Sequence, residues 1–387
     1  MTIARLPRRL VRASRSVLSA YLGRNGPAHP IEPVDPAAHF RLDHPDATHA
    51  PFPGLRGLRE RASVVYLPVE KLWIVLGYDA VRDALARQSE FSSAPQQQVD
   101  GVLLGAEPRQ HAPMRRLISR YFEPARTAEL AACAAADASE LLVPTFDLIE
   151  DYARPIARRA AARFVGLRQS EIEEILSVDD LSSSGQDLAP GLRAVLARAG
   201  LADTLVQDSD GLVDRAAALS IVRLFCWAAT VTTERLIVRS AVALLGDTGA
   251  RAAVARNPGA LLPFIEEAAR LYPPEPNVVR VATSDATIAG VTIPKGATVY
   301  LSLASANRDP ARFDDPDRLL LDRARVPHLS FSAGAHQCIG AGLGRQLAAT
   351  ALRGLIEAGF RACDPRELEQ LETVQGIATP RRVTLAI

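Results

Sequence analysis

Phe331-Ser332-Ala333-Gly334-Ala335-His336-Gln337-Cys338-Ile339-Gly340 decides how this chain is read. A helix is predicted directly after it, over residues 340–358. Cys338 therefore lies in a turn just ahead of a helix N-terminus, where unpaired N–H groups and the positive end of the dipole favour a thiolate. Gly334 and Gly340 permit tight backbone turns and close approach of a flat ligand. His336 and Cys338 are too close together, and too far from the other cysteines, to build a zinc site. The run Gly340-Ala341-Gly342-Leu343-Gly344 imitates a phosphate-binding loop. A dinucleotide site also needs a preceding strand, a βαβ unit and an acid about 20 residues on. The best acid, Glu357, falls on the same helix, so that reading fails. A free cysteine is usually a small buried hydrophobe, and Cys133, Cys226 and Cys363 are read so. The residues around Cys338 are too specific for that.

Working outward, residues 261–271 form a helix that ends before Pro273-Pro274. Residues 277–303 alternate strand-like runs with turns at Ile288-Ala289-Gly290 and Pro294-Lys295-Gly296. A Pro/Asp-rich meander covers residues 309–322. Upstream, residues 114–245 read as helical, and residues 212–245 contain neither Gly nor Pro. A helix of that length spans roughly 50 Å and must cross a domain. Residues 62–76 carry two strand clusters around a turn, residues 79–87 a helix and residues 92–110 a long loop, a feature that is usually functional. Weak strands close the chain.

The bulk numbers exclude several classes. In 387 residues, 48% are hydrophobic, 23% charged, and the formal net charge is +1, so no global field recruits nucleic acid. Four scattered cysteines make neither a disulfide framework nor a zinc signature, which fits a reducing, cytoplasmic setting. The most apolar stretch is interrupted by Arg223, Glu234 and Arg239, so no membrane anchor is expected. Residues 1–25 hold six arginines and no acid. Such composition can mark a transit peptide, and the reading adopted is a basic arm that continues, Pro-rich, to residue 52. One domain is expected over residues 53–387.

The quoted segment resembles the cytochrome P-450 family's F-x-x-G-x-H-x-C-x-G haem-binding signature at every fixed position, with Ser332 where a glycine is common. Glu267-Ala-Ala-Arg270 resembles the family's E-x-x-R helix, and Arg318 fits the third member of its buried ion network. His111-Ala-Pro-Met-Arg115 resembles H-x-x-x-R. The resemblance runs from about residue 53 to the end. It implies a mainly α, triangular prism-like fold with small β-sheets, the haem lying between the long helix and the helix after Cys338. It implies haem b (iron protoporphyrin IX) with Cys338 as its axial ligand and Phe331, Gly334 and Gly340 around the sulfur. His111, Arg115, Arg280 and His336 would hold the propionates through charge-assisted bonds.

On the long helix, Ala228-Ala229-Thr230-Val231-Thr232-Thr233 resembles the family's [AG]-G-x-[DE]-T-[TS], which puts Thr232 at the alcohol position. Two departures stand out: Ala229 replaces the glycine, and Val231 replaces the acid. A substrate group or water, Glu234, or a reaction other than hydroxylation (coupling, desaturation, peroxide-driven oxidation) could make up the loss.

The resemblance implies an O2-activating monooxygenase of the soluble bacterial class, monomeric, drawing electrons from a separate ferredoxin and ferredoxin reductase. Arg116, Arg120 and Arg345 are candidates to dock an acidic partner. The pocket set, Val99, Leu103, Ala228, Ala229, Asn277, Val278 and Ile377, is largely apolar, so a hydrophobic small-molecule substrate is expected, in specialised metabolism. A non-catalytic recruitment module is the remaining alternative, and the intact Cys338 and Thr232 argue against it.

Overall fold

The computed structural model describes residues 40–42, 44–48, 52–93, 102–106, 108–178, 188–323, 327–374 and 377–387. The Arg-rich arm and Val99 lie outside them.

Helices α1 (Pro53–Arg61) and α2 (Tyr78–Ala86) flank a five-stranded sheet. Its order is β1 (Val64–Leu67), β2 (Leu72–Val75), β8 (Thr298–Ser302), β5 (Asn277–Ala282), β3 (Phe91–Ser92). Only the β2–β8 pairing is parallel. Side chains alternate between the faces of a strand, and here each face has its own helix. Val64, Val75, Val299 and Leu301 pack with α2, while Val65, Leu67, Leu72 and Ile74 pack with α1. The two expected strands of residues 62–76 are β1 and β2, and the turns at Gly290 and Gly296 both take positive φ. The hairpin β6 (Ala286–Ile288) and β7 (Val291–Ile293) closes over the first of them.

The larger body is helical. It comprises α3 (Pro108–Ser119), α4 (Pro124–Leu141), α5 (Arg154–Val165), α6 (Gln169–Val178), α7 (Pro190–Leu196), α8 (Gly200–Asp208), α9 (Arg215–Gly246), α10 (Thr248–Arg256), α11 (Leu261–Leu271) and α12 (Ala341–Glu357). The helical reading of residues 114–245 misses one interruption. Strand β4 (Thr145–Asp147) pairs with β12 (Thr384–Ala386), and Leu148–Ala153 then forms a wide π-helical turn. Asp147 starts that turn by accepting from the amides of Ile149 and Glu150. β12 also pairs with β9 (Arg361–Ala362), and β10 (Leu371–Val374) with β11 (Ile377–Pro380).

α9 is the expected long helix. Its 32 residues span about 48 Å, and Asp214 caps it by accepting from the Ala217 amide. By length and apolar content it meets the dimensions of a bilayer span, but most of its apolar stretch is buried by α5, α8, α11 and α12. α11 buries Glu267 and Arg270 as well as its apolar face. Arg270 clamps Glu267 through two nitrogens, at 2.7 and 2.9 Å, and donates to the carbonyls of Asn307, Pro316 and Arg318.

The third member of that network is not Arg318. Its side chain is 70% exposed and reaches only Asp315. Arg323 takes the place, donating to Glu267 at 2.9 Å and to the carbonyls of Asp314, Asp315 and Arg318. Arg318 contributes only its carbonyl. The meander curls back between the two, so the guanidinium five residues later is the one that points inward.

Candidate functional site

The segment after Arg323 returns beneath α11 and delivers the cysteine loop. Ser330 donates to the Ala269 carbonyl and receives a bond from the Asn307 amide nitrogen, fixing the loop's entry. The Cys338 amide donates to the Phe331 carbonyl at 2.8 Å, closing the loop on itself. Gly334 is required, with φ +69 and a Cβ position only 2.5 Å from the Leu85 carbonyl. Gly340 is not: its φ of −85 suits any residue and a Cβ would meet Phe122 at 3.5 Å. Its service is the amide, which hydrogen-bonds Cys338. Ser332 holds the left-handed conformation a glycine would favour (φ 59), and its hydroxyl is buried without a partner.

The Cys338 side chain is reachable from a cleft, yet it is cut off from bulk water. Burial pushes its thiol up, while the Gly340 amide and the charges of Arg115 and Arg345 oppose the shift. Of the other cysteines Cys226 is buried, as expected, but Cys133 is half-buried and Cys363 exposed. Arg345 is not free to dock a partner. Its guanidinium lies 4.0 Å from the Phe331 ring centroid and is ion-paired to Glu266, which also meets His328 at 3.1 Å. Against the upward push of burial, His328 and Arg345 hold the Glu266 carboxyl down at about 2. Arg345 thus braces the cysteine loop from below, whereas Arg116 and Arg120 remain exposed.

Beside the thiol stands a cluster of bases. His111 and His336 meet with ring centroids 4.2 Å apart and planes tilted by 50°, both buried. Burial, and then their own mutual charge and that of Arg280 and Arg115, drives His336 down to about 3; burial and Arg115 lower His111 as well. Burial also lowers Arg280, to about 10, and Arg115. None of the four has a carboxylate partner among the described residues. The Gln88 amide nitrogen lies 2.8 Å from His336 Nε2, with Ser93 at 3.2 Å, so the ring proton belongs on Nδ1, which is buried and unpartnered. Buried donors without acceptors are costly. Two anionic groups arriving together would satisfy this cluster, and the two propionates of a haem fit it. Gln88 and Ser93 carry no motif and were not foreseen.

Across the cleft runs α9. Ala228 is exposed and Thr232 half-buried in a helix otherwise largely buried, and their i, i+4 spacing puts them on one accessible stripe. Thr232 donates back to the Ala228 carbonyl at 2.6 Å, the usual habit of a mid-helix threonine. Val231 lies on the neighbouring stripe with Trp227 and Glu234. Glu234 is no free proton source, because Arg154 grips both its oxygens at 3.0 and 3.2 Å. Asn277 and Val278 are half-buried at the start of β5, Asn277 with an unpartnered carbonyl oxygen. Leu103 is buried, its amide 3.3 Å from Met114 sulfur. Ile377 is in β11, and its side chain is outside the described residues.

One titratable group was missed altogether. Glu275 is the only exposed residue in the stretch 271–280, and yet burial pushes its carboxyl up to about 7. Being accessible but remote from bulk water is the condition of a group facing an enclosed cavity, as with Cys338.

Residues 261–361 match the family profile described as Cytochrome P450. Cytochrome P450 109 of Bacillus spizizenii is 30% identical over 365 residues, covering 85% of this chain and 89% of that protein. The chain belongs to the cytochrome P450 family. It is a P450 monooxygenase, and the family implies a haem-thiolate cofactor and electron supply by redox partners. Pentalenic acid synthase of Streptomyces avermitilis is 27% identical over 365 residues, 84% of this chain and 91% of that one. The P450 fold is matched by crystal structures of CYP109Q5 from Chondromyces apiculatus (TM-score 0.79, 23% identity, covering 90% and 98% of the two chains) and of CYP109E1 from Bacillus megaterium in complex with testosterone (TM-score 0.78, 22% identity, 87% and 97%).

Proposed function

We propose that this P450 ligates haem b through Cys338 and oxidises a hydrophobic small molecule, with electrons from a separate ferredoxin and ferredoxin reductase in a reducing cytoplasm. The single observation that carries the reading is the accessible Cys338 sulfur beside Arg115, which clusters with His111, Arg280 and His336 with no carboxylate partner among the described residues. When bound, the haem supplies reductive activation of O2 and transfer of one oxygen atom to the substrate. His336 Nδ1 and the two guanidiniums would donate to the propionates and fix the ring's rotation. The Gly340 amide and the Arg345–Glu266 brace hold the sulfur and its loop in place, the supporting interactions on which a metal ligand depends. Ala228 and Val278 offer apolar surface to the substrate, a class consistent with the testosterone bound by one fold relative. Exposed Arg116 and Arg120 are suited to an acidic redox partner. The haem domain is taken as residues 53–387.

The test is the ferrous carbonyl spectrum. Purified protein reduced with dithionite under carbon monoxide should give the red-shifted Soret band of a thiolate-ligated haem, and Cys338→Ala should abolish it. An unshifted band in freshly prepared protein would rule Cys338 out as ligand. A second reading, non-hydroxylating haem-thiolate chemistry such as oxidative coupling, desaturation or peroxygenation, is favoured by Val231 and by the commitment of Glu234 to Arg154. A product that carries no oxygen atom from labelled O2 would select it.

A further inference from the structure

Glu275 stands in a segment otherwise sealed by buried Pro273, Pro274 and Pro276. Two bonds pin that segment. The Ala304 amide donates to the Pro276 carbonyl at 3.0 Å, and Arg235 donates to the Pro274 carbonyl at 3.2 Å. Arg235 follows Ala228 and Thr232 at i, i+4, i+7 spacing, so the three share one stripe of α9. The buried guanidinium that anchors the Glu275 turn therefore lies one turn beyond the alcohol on the same stripe. The stripe holding Val231 runs instead to Glu234, which Arg154 occupies.

We propose that Glu275 is the proton-handling carboxylate of the distal pocket, doing from the opposite wall the work for which residue 231 has no acid. The proposal rests on the haem-thiolate reading. Charged and titratable groups meet Glu275 from two elements: Arg235 on α9, which favours its ionised form, and Tyr300 on β8. Desolvation outweighs Arg235 and leaves the carboxyl poised near neutrality, where a group both gives and takes a proton readily.

The balance closes with hydrogen peroxide as oxidant. Its two oxygens become two waters, with one electron from each of two molecules of a reducing dye (ABTS) and two protons from solvent. Glu275 moves the proton that leaves one oxygen to the departing other and ends as it began. With O2, the electrons come from the redox partners, and Glu275 regains from water the proton it gives.

The experiment compares the haem-loaded native protein with Glu275→Gln, Glu275→Asp and the double variant Glu275→Gln/Val231→Asp. Each must first give the red-shifted carbonyl band; failure there counts against the haem-thiolate reading, not against Glu275. Infrared difference spectra between pH 5 and 9, a range of about two units either side of neutrality, should show a carboxylic C=O band in native protein, absent from Glu275→Gln. Peroxide-driven dye oxidation should fall about 100-fold in Glu275→Gln at neutral pH and lose its inflection near neutrality. Glu275→Asp and the double variant should recover part of the rate. An unchanged rate and pH profile in Glu275→Gln, or no titrating band lost with it, overturns the proposal.

Discussion

At the scale of single residues, Ser332 exposes a local conflict. A non-glycine residue in the left-handed region costs about 1–2 kcal/mol, and its buried hydroxyl has no partner. Glycine there relieves both and gives back roughly 0.5–1 kcal/mol in unfolded-chain entropy. Ser332→Gly should therefore stabilise the protein by about 1 kcal/mol, read as a higher urea midpoint at unchanged m. Cys338, His336, His111, Arg115 and Arg280 were legible because spacing within short motifs survives folding. Glu275 was not: its immediate neighbours in sequence are prolines, and only the folded turn pinned by Arg235 sets its accessible carboxylate apart from bulk water. Glu234 erred the other way, near Val231 in sequence but held by a guanidinium from another helix.

Among elements, the clearest test concerns the meander under α11. Burial pushes the Glu267 carboxyl up, but Arg270 and Arg323 outweigh it and hold it below its ordinary value. Losing the buried Arg323 side chain removes a charged bond to Glu267 and three to carbonyls. Arg323→Ala should cost about 2 kcal/mol or more, whereas Arg318→Ala should stay within about 0.5 kcal/mol, both by chemical denaturation. The opposite order would restore the sequence expectation for Arg318. Helices α9, α11 and α12 were legible from long breaker-free or well-capped runs. β4 and the π-helical turn after it were not, because three residues of strand owe their state to β12, more than 200 residues away in the chain, and local propensity carries no word of that partner.

For the whole molecule, the expectation is that the two propionates neutralise a cluster shared by the sheet side and the helical side: Arg280 on β5, His111 and Arg115 on α3, and His336 in the cysteine loop. A ligand that binds only the folded chain raises its stability. Haem should raise the melting temperature, and haem dimethyl ester, with the same ring and iron but no negative charges, should raise it distinctly less; equal gains would detach the cluster from the propionates. The overall architecture was legible from the length of α9 and the motif order, and so was the set of four basic residues; its supports, Gln88 and Ser93 on His336, were not. A last consequence follows from the Arg154–Glu234 clasp. It occupies the flank of α9 below Val231, so if Glu275 handles the protons, its water is expected from the side on which the guest molecule enters. Oxidation efficiency then becomes a matter of plumbing: a slim guest leaves a wet thread beside it, a bulky one corks its own supply and wastes reducing power.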